Sequence, residues 1–175
     1  MRTQLYLAAL AAVAASGCTE RVAVSSASAP SLDSASYHTF AMMPATSPAT
    51  PDSVRAVIAG AIRTDLEQSF AGRGYTESAN PDFLVAYYGG TGDVITVKAY
   101  PYGYSGMSNV GKMNVTDYPA GTLVVDVVDA KTNQLVWRGQ GVNRIPNNSD
   151  LYSRQIAVAV RDIVAQFPKA TKQSA

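Results

Sequence analysis

Apolar positions recur along the chain with two different periods, and the switches between them divide it into elements. Tyr37 to Met43 alternates, with His38, Phe40 and Met42 on one face and Tyr37, Thr39, Ala41 and Met43 on the other, and predicts a first strand. Thr50 and Pro51 form a helix start, since Thr caps free N–H groups and Pro is tolerated at the first helical position. Val54, Val57, Ile58, Ala61, Ile62, Leu66 and Phe70 then follow at helical spacing, and Gly72 or Gly74 stops the helix. Asp82 to Tyr88 and Asp93 to Tyr100 read as strands, separated by the glycines at 89, 90 and 92. Pro101 to Tyr118, rich in Gly, Ser and Tyr, reads as a long loop.

The clearest pair in the chain is Gly121 to Asp129 and Gln134 to Val142, two β-branched runs joined by Ala130 to Asn133. Asn133 suits the left-handed conformation that such a loop needs. Leu123, Val125 and Val127 share one face of the first run, and Val124, Asp126 and Val128 the other. Two largely apolar faces predict a strand in the sheet interior. Asp150 is placed to cap a last helix in which Ile156, Val160, Ile163, Val164 and Phe167 repeat, and Pro168 ends it. The resulting expectation is an α/β (α+β) fold, a two-layer sandwich of a mixed, mainly antiparallel sheet of about five strands with two amphipathic helices. Its first and second strands, joined through the first helix, are expected to be parallel. The domain would span residues 37–168, with a frayed polar tail over 169–175.

The segments before the domain bear on location. Leu5 to Ala15 is an uncharged apolar run behind Arg2, too short to span a bilayer, and residues 1–17 read as a signal peptide. Ala15-Ser16-Gly17-Cys18 resembles the bacterial lipobox, in which the cysteine thiol receives diacylglycerol and the chain is cut just before it. The residue three before the cysteine is Ala15 where Leu is usual, and Ala12-Val13-Ala14 offers an ordinary cleavage site as the alternative. The chain's only cysteine at the one place the signal requires favours lipidation at Cys18. By resemblance to lipoprotein sorting in Gram-negative bacteria, Thr19 rather than Asp after it implies the outer membrane, with the domain facing the periplasm. Residues 18–36, rich in Ser and Ala, then read as the lipidated cysteine and a flexible tether with a reach of roughly 25 Å.

Composition narrows the function classes. The 175 residues carry 14 Lys and Arg against 13 Asp and Glu, and removing residues 1–17 takes Arg2 away and leaves the two signs in balance. Such a chain has no basic surface for nucleic acid. One His and one Cys exclude a His/Cys zinc site, one Cys excludes a disulfide framework, and no cofactor or metal is expected.

Several segments resemble a family of bacterial lipoproteins, that of domain of unknown function 4136. They are Ser36-Tyr37-His38-Thr39-Phe40-Ala41, Gly72-Arg73-Gly74-Tyr75, Asn80 to Tyr87, Tyr118 to Asp129, and Leu135-Val136-Trp137-Arg138-Gly139. The resemblance implies an exported, lipidated envelope domain of mixed α/β structure. It implies no reaction.

Candidate chemistry is sparse. His38 has the side chain suited to general-base work near neutrality, yet it sits in an apolar strand without a nucleophile-elbow sequence as partner. Asp126 and Asp129 are an odd number of positions apart and point to opposite faces, so they do not converge on one ion or bond. Asp129 is expected to accept hydrogen bonds in the hairpin loop and Asp126 to pair with Arg138. Gly89 to Asp93 lacks the Lys and helix of a phosphate loop. Trp137 is expected in the core.

The tyrosines Tyr100, Tyr102, Tyr104 and Tyr118 lie in or at the edges of one low-charge loop, where they either cover the sheet or form a partner-binding surface. The leading expectation is a non-enzymatic outer-membrane lipoprotein, held to the lipid bilayer through acylated Cys18, that binds another envelope protein or itself. The alternatives are an envelope hydrolase using His38 and a cell-wall glycan-binding module whose loop tyrosines stack on sugars.

Overall fold

The structure, a computed structural model, describes residues 22–43, 53–89, 94–95, 118–119, 121–142 and 149–171. In chain order the elements are β1 (Ala23–Ser28), β2 (Thr39–Met42), α1 (Ser53–Gly72), β3 (Thr76–Glu77), β4 (Phe83–Gly89), β5 (Val94–Ile95), β6 (Tyr118–Pro119), β7 (Thr122–Asp129), β8 (Gln134–Val142) and α2 (Ser149–Val164). Six of the strands form one sheet in the order β1-β8-β7-β4-β2-β3, and β5 pairs with β6 in a separate ladder. The pairs β2/β4 and β2/β3 are parallel and the others antiparallel. The strand–helix–strand unit that the sequence predicts is therefore present, and β7 lies in the sheet interior.

Two expectations, the tether and the start of the last helix, are corrected. Of the tether expected over residues 18–36, the described part, 22–36, is not free, because β1 pairs with β8 from Ala23↔Val142 to Ser28↔Trp137. Its sequence, AVSSAS, shows almost no apolar stripe, and only Val24 and Ala27 are partly covered. The backbone ladder holds it, with Val22 and Ala29 buried at either end. The mixed sheet with two helices is as expected, and β1 and the two-residue β3 bring its strands to six. α2 begins at Ser149, so Asp150 stands inside its first turn rather than before it. Of the strand expected over Asp93 to Tyr100, Val94–Ile95 is described and is a strand, and most of the loop expected over Pro101 to Tyr118 lies outside the described residues.

Both helices cover one face of the sheet. Ile62, Leu66 and Phe70, spaced four apart on α1, pack with Ala159, Val160, Ile163, Val164 and Phe167 against Phe40, Phe83, Val85, Val125, Val127 and Trp137. Tyr37 joins this core although its parity places it opposite Phe40, because the strand starts only at Thr39. α1 ends in a Schellman motif: Tyr75 N–H bonds to Phe70 C=O and Gly74 N–H to Ala71 C=O, with Gly74 at a φ of 94° and the Tyr75 and Phe70 rings in contact. Of the two glycines, Gly74 is thus the stop.

The opposite face of the sheet is buried as well. Val124, Asp126, Val128, Leu135 and Arg138 are all 0–2% exposed. A bulge in β8 divides its residues between the faces: Val127 pairs with Trp137 and Val128 with Leu135, which leaves Val136 unopposed. Val136 and Trp137 consequently both enter the main core, while Leu135 joins Ala29, Ala86 and Val128 on the far face.

The strand directions give the sheet two distinct ends. The start of β1, the end of β2, the end of β4, the start of β7 and the end of β8 share one, here called the first-strand end. The other is the hairpin end, where Ala130 to Asn133 join β7 to β8 and Asn133 has the expected left-handed φ of 53°.

Candidate functional site

Cys18, Tyr100, Tyr102 and Tyr104 lie outside the described residues. Tyr118 is placed by its backbone, which pairs with Ile95 in the β5/β6 ladder. The remaining candidates converge on the hairpin end and the far face of the sheet.

At the hairpin end, β2 and β4 are fastened where they begin. One Asp82 carboxylate oxygen accepts hydrogen bonds from the His38 N–H, the Thr39 N–H and the Thr39 hydroxyl, each 2.9 Å long. The Asp82 N–H returns to the Thr39 carbonyl at 3.0 Å. This clamp sets the parallel register in which Phe40 faces Phe83. Burial pushes the Asp82 carboxyl up, but the donors aimed at it more than offset burial and hold it below the usual carboxylate range. His38 enters this arrangement through its backbone, and its carbonyl accepts the Thr76 N–H.

Asp129 is a second such clamp. Oδ1 accepts from the Lys131 N–H, the Thr132 N–H and the Thr132 hydroxyl, as the hairpin chemistry predicts, and Oδ2 accepts the Tyr37 hydroxyl at 2.7 Å. Its carboxyl is also held low, burial again being outweighed by donors. Tyr37 is pushed well above the ordinary phenol range by burial and by this carboxylate. The spacing of the two aspartates in β7 does separate them: Asp126 lies on the far face, where Arg138 Nε and Nη2 meet its two oxygens at 2.6 Å each. That pair is fully buried and bidentate, the strong geometry for guanidinium and carboxylate.

Sequence reasoning missed the clamp at Asp82, the Tyr37–Asp129 bond and a latch between the helix ends. In that latch Tyr75 donates to the Pro168 carbonyl at 3.0 Å, and Arg73 donates to the carbonyls of Phe167 and Pro168. Burial pushes the Tyr75 hydroxyl up to about 12. Nearby the two helices flank an open groove of about 490 Å³ lined by Asp65, Gln68, Arg73 and Arg161. Arg73 donates to the carbonyls of the latch, and the exposed Arg161 side chain lies 3.2 Å from its neighbour Asp162. Among the described residues no group of three or more His, Cys, Asp or Glu side chains is arranged to hold a metal ion. The geometry uses its carboxylates to join strands.

The chain matches the family model of DUF4136, a domain of unknown function, over residues 24–169. The match begins inside β1, in keeping with that strand being part of the domain. A DUF4136 family protein from Bacteroides thetaiotaomicron has a similar structure, with a TM-score of 0.56 and 13% identity over 84% of this chain and 96% of that one. A PDZ domain protein from Parabacteroides distasonis is similar at a TM-score of 0.52 and 16% identity, over 87% of this chain and 37% of that one. The PelC dodecamer from Paraburkholderia phytofirmans gives a TM-score of 0.49 and 12% identity, over 86% of this chain and 99% of that one. No curated protein matches the chain in sequence. The likenesses to the first two solved structures concern the fold.

Proposed function

Since the chain belongs to the DUF4136 family, whose name brings no reaction with it, we propose from its own residues that it is a lipid-anchored envelope protein that works by binding rather than by catalysis. The observation that carries this reading is the position of the lipobox-like stretch. Ala15-Ser16-Gly17-Cys18 places the only cysteine five positions ahead of Ala23, where β1 begins. Alkylation there would touch none of the described strands and helices. Thr19 after the cysteine directs the anchor to the outer membrane and the domain to the periplasm. Among the described residues no helix is long and apolar enough to cross a membrane, which leaves the acyl chains as the attachment this reading needs.

Binding is favoured over hydrolysis by how the polar groups are used. Asp82 and Asp129 each hold a strand end, Asp126 is paired with Arg138, and His38 contributes its backbone. The partner is another envelope protein or a second copy, met by Tyr100, Tyr102, Tyr104 and Tyr118. Radioactive palmitate should label the wild-type chain and not Cys18→Ala; label that persists in the variant overturns lipidation at this residue. In-cell crosslinking from positions 100, 102 and 104 should capture a defined protein, and substitution of the tyrosines by Ser should abolish the capture. Capture that the substitutions leave unaltered removes the tyrosines from the contact surface.

A further inference from the structure

β1 takes up the middle of the expected tether, and this changes where an anchored domain can sit. Three residues separate Cys18 from Val22, which is buried in the main core, and a fully extended chain covers at most about 14 Å over those four Cα-to-Cα steps. Val22 precedes β1 at the first-strand end of the sheet. Val142 is opposite Ala23 at the same end, and β7 starts there as well. The Tyr87 hydroxyl bonds to the Ala59 carbonyl at 2.9 Å and so holds the N-terminal half of α1 toward this end too. The hairpin end stands off by the length of β7, eight residues or about 26 Å.

We infer that the occupant of the first-strand end is the lipid surface itself, with the sheet standing off the bilayer and the loop Ala130 to Asn133 farthest from it. The inference rests on lipidation at Cys18. A flexible tether of 18 residues would let the domain tumble through all orientations above the membrane, whereas three residues between Cys18 and the buried Val22 keep the first-strand end within about 14 Å of the anchor. β4 ends and β7 starts at this same end, so the segment that carries Tyr100, Tyr102, Tyr104 and Tyr118 leaves and re-enters the sheet on the membrane side, and a partner met by these tyrosines is reached close to the bilayer.

The test uses the full lipidated chain reconstituted in vesicles of phosphatidylethanolamine and phosphatidylglycerol that carry a headgroup nitroxide lipid. Cys18, once alkylated, is a thioether and does not react with maleimide dyes, so Val142→Cys and Lys131→Cys each place a single fluorophore, both at exposed positions. Quenching should be severalfold stronger from position 142 than from 131. Insertion of about 20 Gly and Ser residues between Cys18 and Val22 should abolish that difference. Equal quenching without the insertion, in a preparation that carries the palmitate label, overturns the orientation and leaves the anchor standing. A preparation without palmitate overturns both.

Discussion

At the scale of single residues, the carboxylates determine how this fold responds to acid and to mutation. Asp82 collects its hydrogen bonds on one oxygen, and its carboxyl lies below its ordinary value of 3.8. A folded value below the unfolded one means a stabilising contribution that is complete above pH 3.8 and is lost as the pH falls through the folded value. Asp129 has the same sign. Urea midpoints measured from neutral pH downward should therefore fall less steeply in Asp82→Asn than in the wild type; parallel curves would show that the clamp contributes nothing to acid sensitivity. Asp126 and Arg138 behave differently, because their burial is the larger consideration. Arg138→Met alone strands a buried carboxylate and should cost about 3–5 kcal/mol in urea unfolding. Combining it with Asp126→Leu should recover most of that loss, since two apolar groups in a buried site need no partner. A double variant as unstable as the single one would assign the cost to packing rather than to charge.

At the scale of elements, glycine positions separate packing from helix propensity. A Cβ on Gly139 would lie 2.3 Å from the Trp137 ring and 2.6 Å from Ile163, so Gly139→Ala should destabilise by about 1–3 kcal/mol as the ring is displaced from α2. Gly60, inside α1, has nothing within 4 Å of such a Cβ, and Gly60→Ala should stabilise by about 0.5–1 kcal/mol. Calorimetry on the two variants should give melting temperatures that move in opposite directions. Deleting Ala23–Ser28 should cost about 2–4 kcal/mol through lost ladder bonds and exposure of the β8 edge, whereas a true tether would be removed without effect on the melting curve. The elements that periodicity foretold are those with an apolar face to bury: both helices, β7, β8 and the strand–helix–strand unit. β1 escaped because its residues are small and mostly polar and its stability comes from backbone pairing with a distant strand. The bulge at Val136 escaped because the three consecutive apolar residues Leu135, Val136 and Trp137 do not say which of them lacks a cross-strand partner.

At the scale of the whole molecule, local chemistry was legible and long-range chemistry was not. Asp129 as acceptor in its own loop and Asp126 opposite Arg138 follow from turn and cross-strand rules, with partners at most 12 residues away. The Asp82 clamp and the Tyr37–Asp129 bond join residues 43 and 92 apart, and no local pattern announces such pairs. The same reach across the chain has a consequence in time. Ser25 in β1 bonds to Gln140 in β8, 115 positions later, so the first strand to leave the ribosome has no partner until nearly all the rest has been made. Closing so long a loop is slow and entropically costly, and β1 is therefore the last strand to dock. Until it does, β8 presents an unpaired row of N–H and C=O groups open to other chains, which β1 later seals.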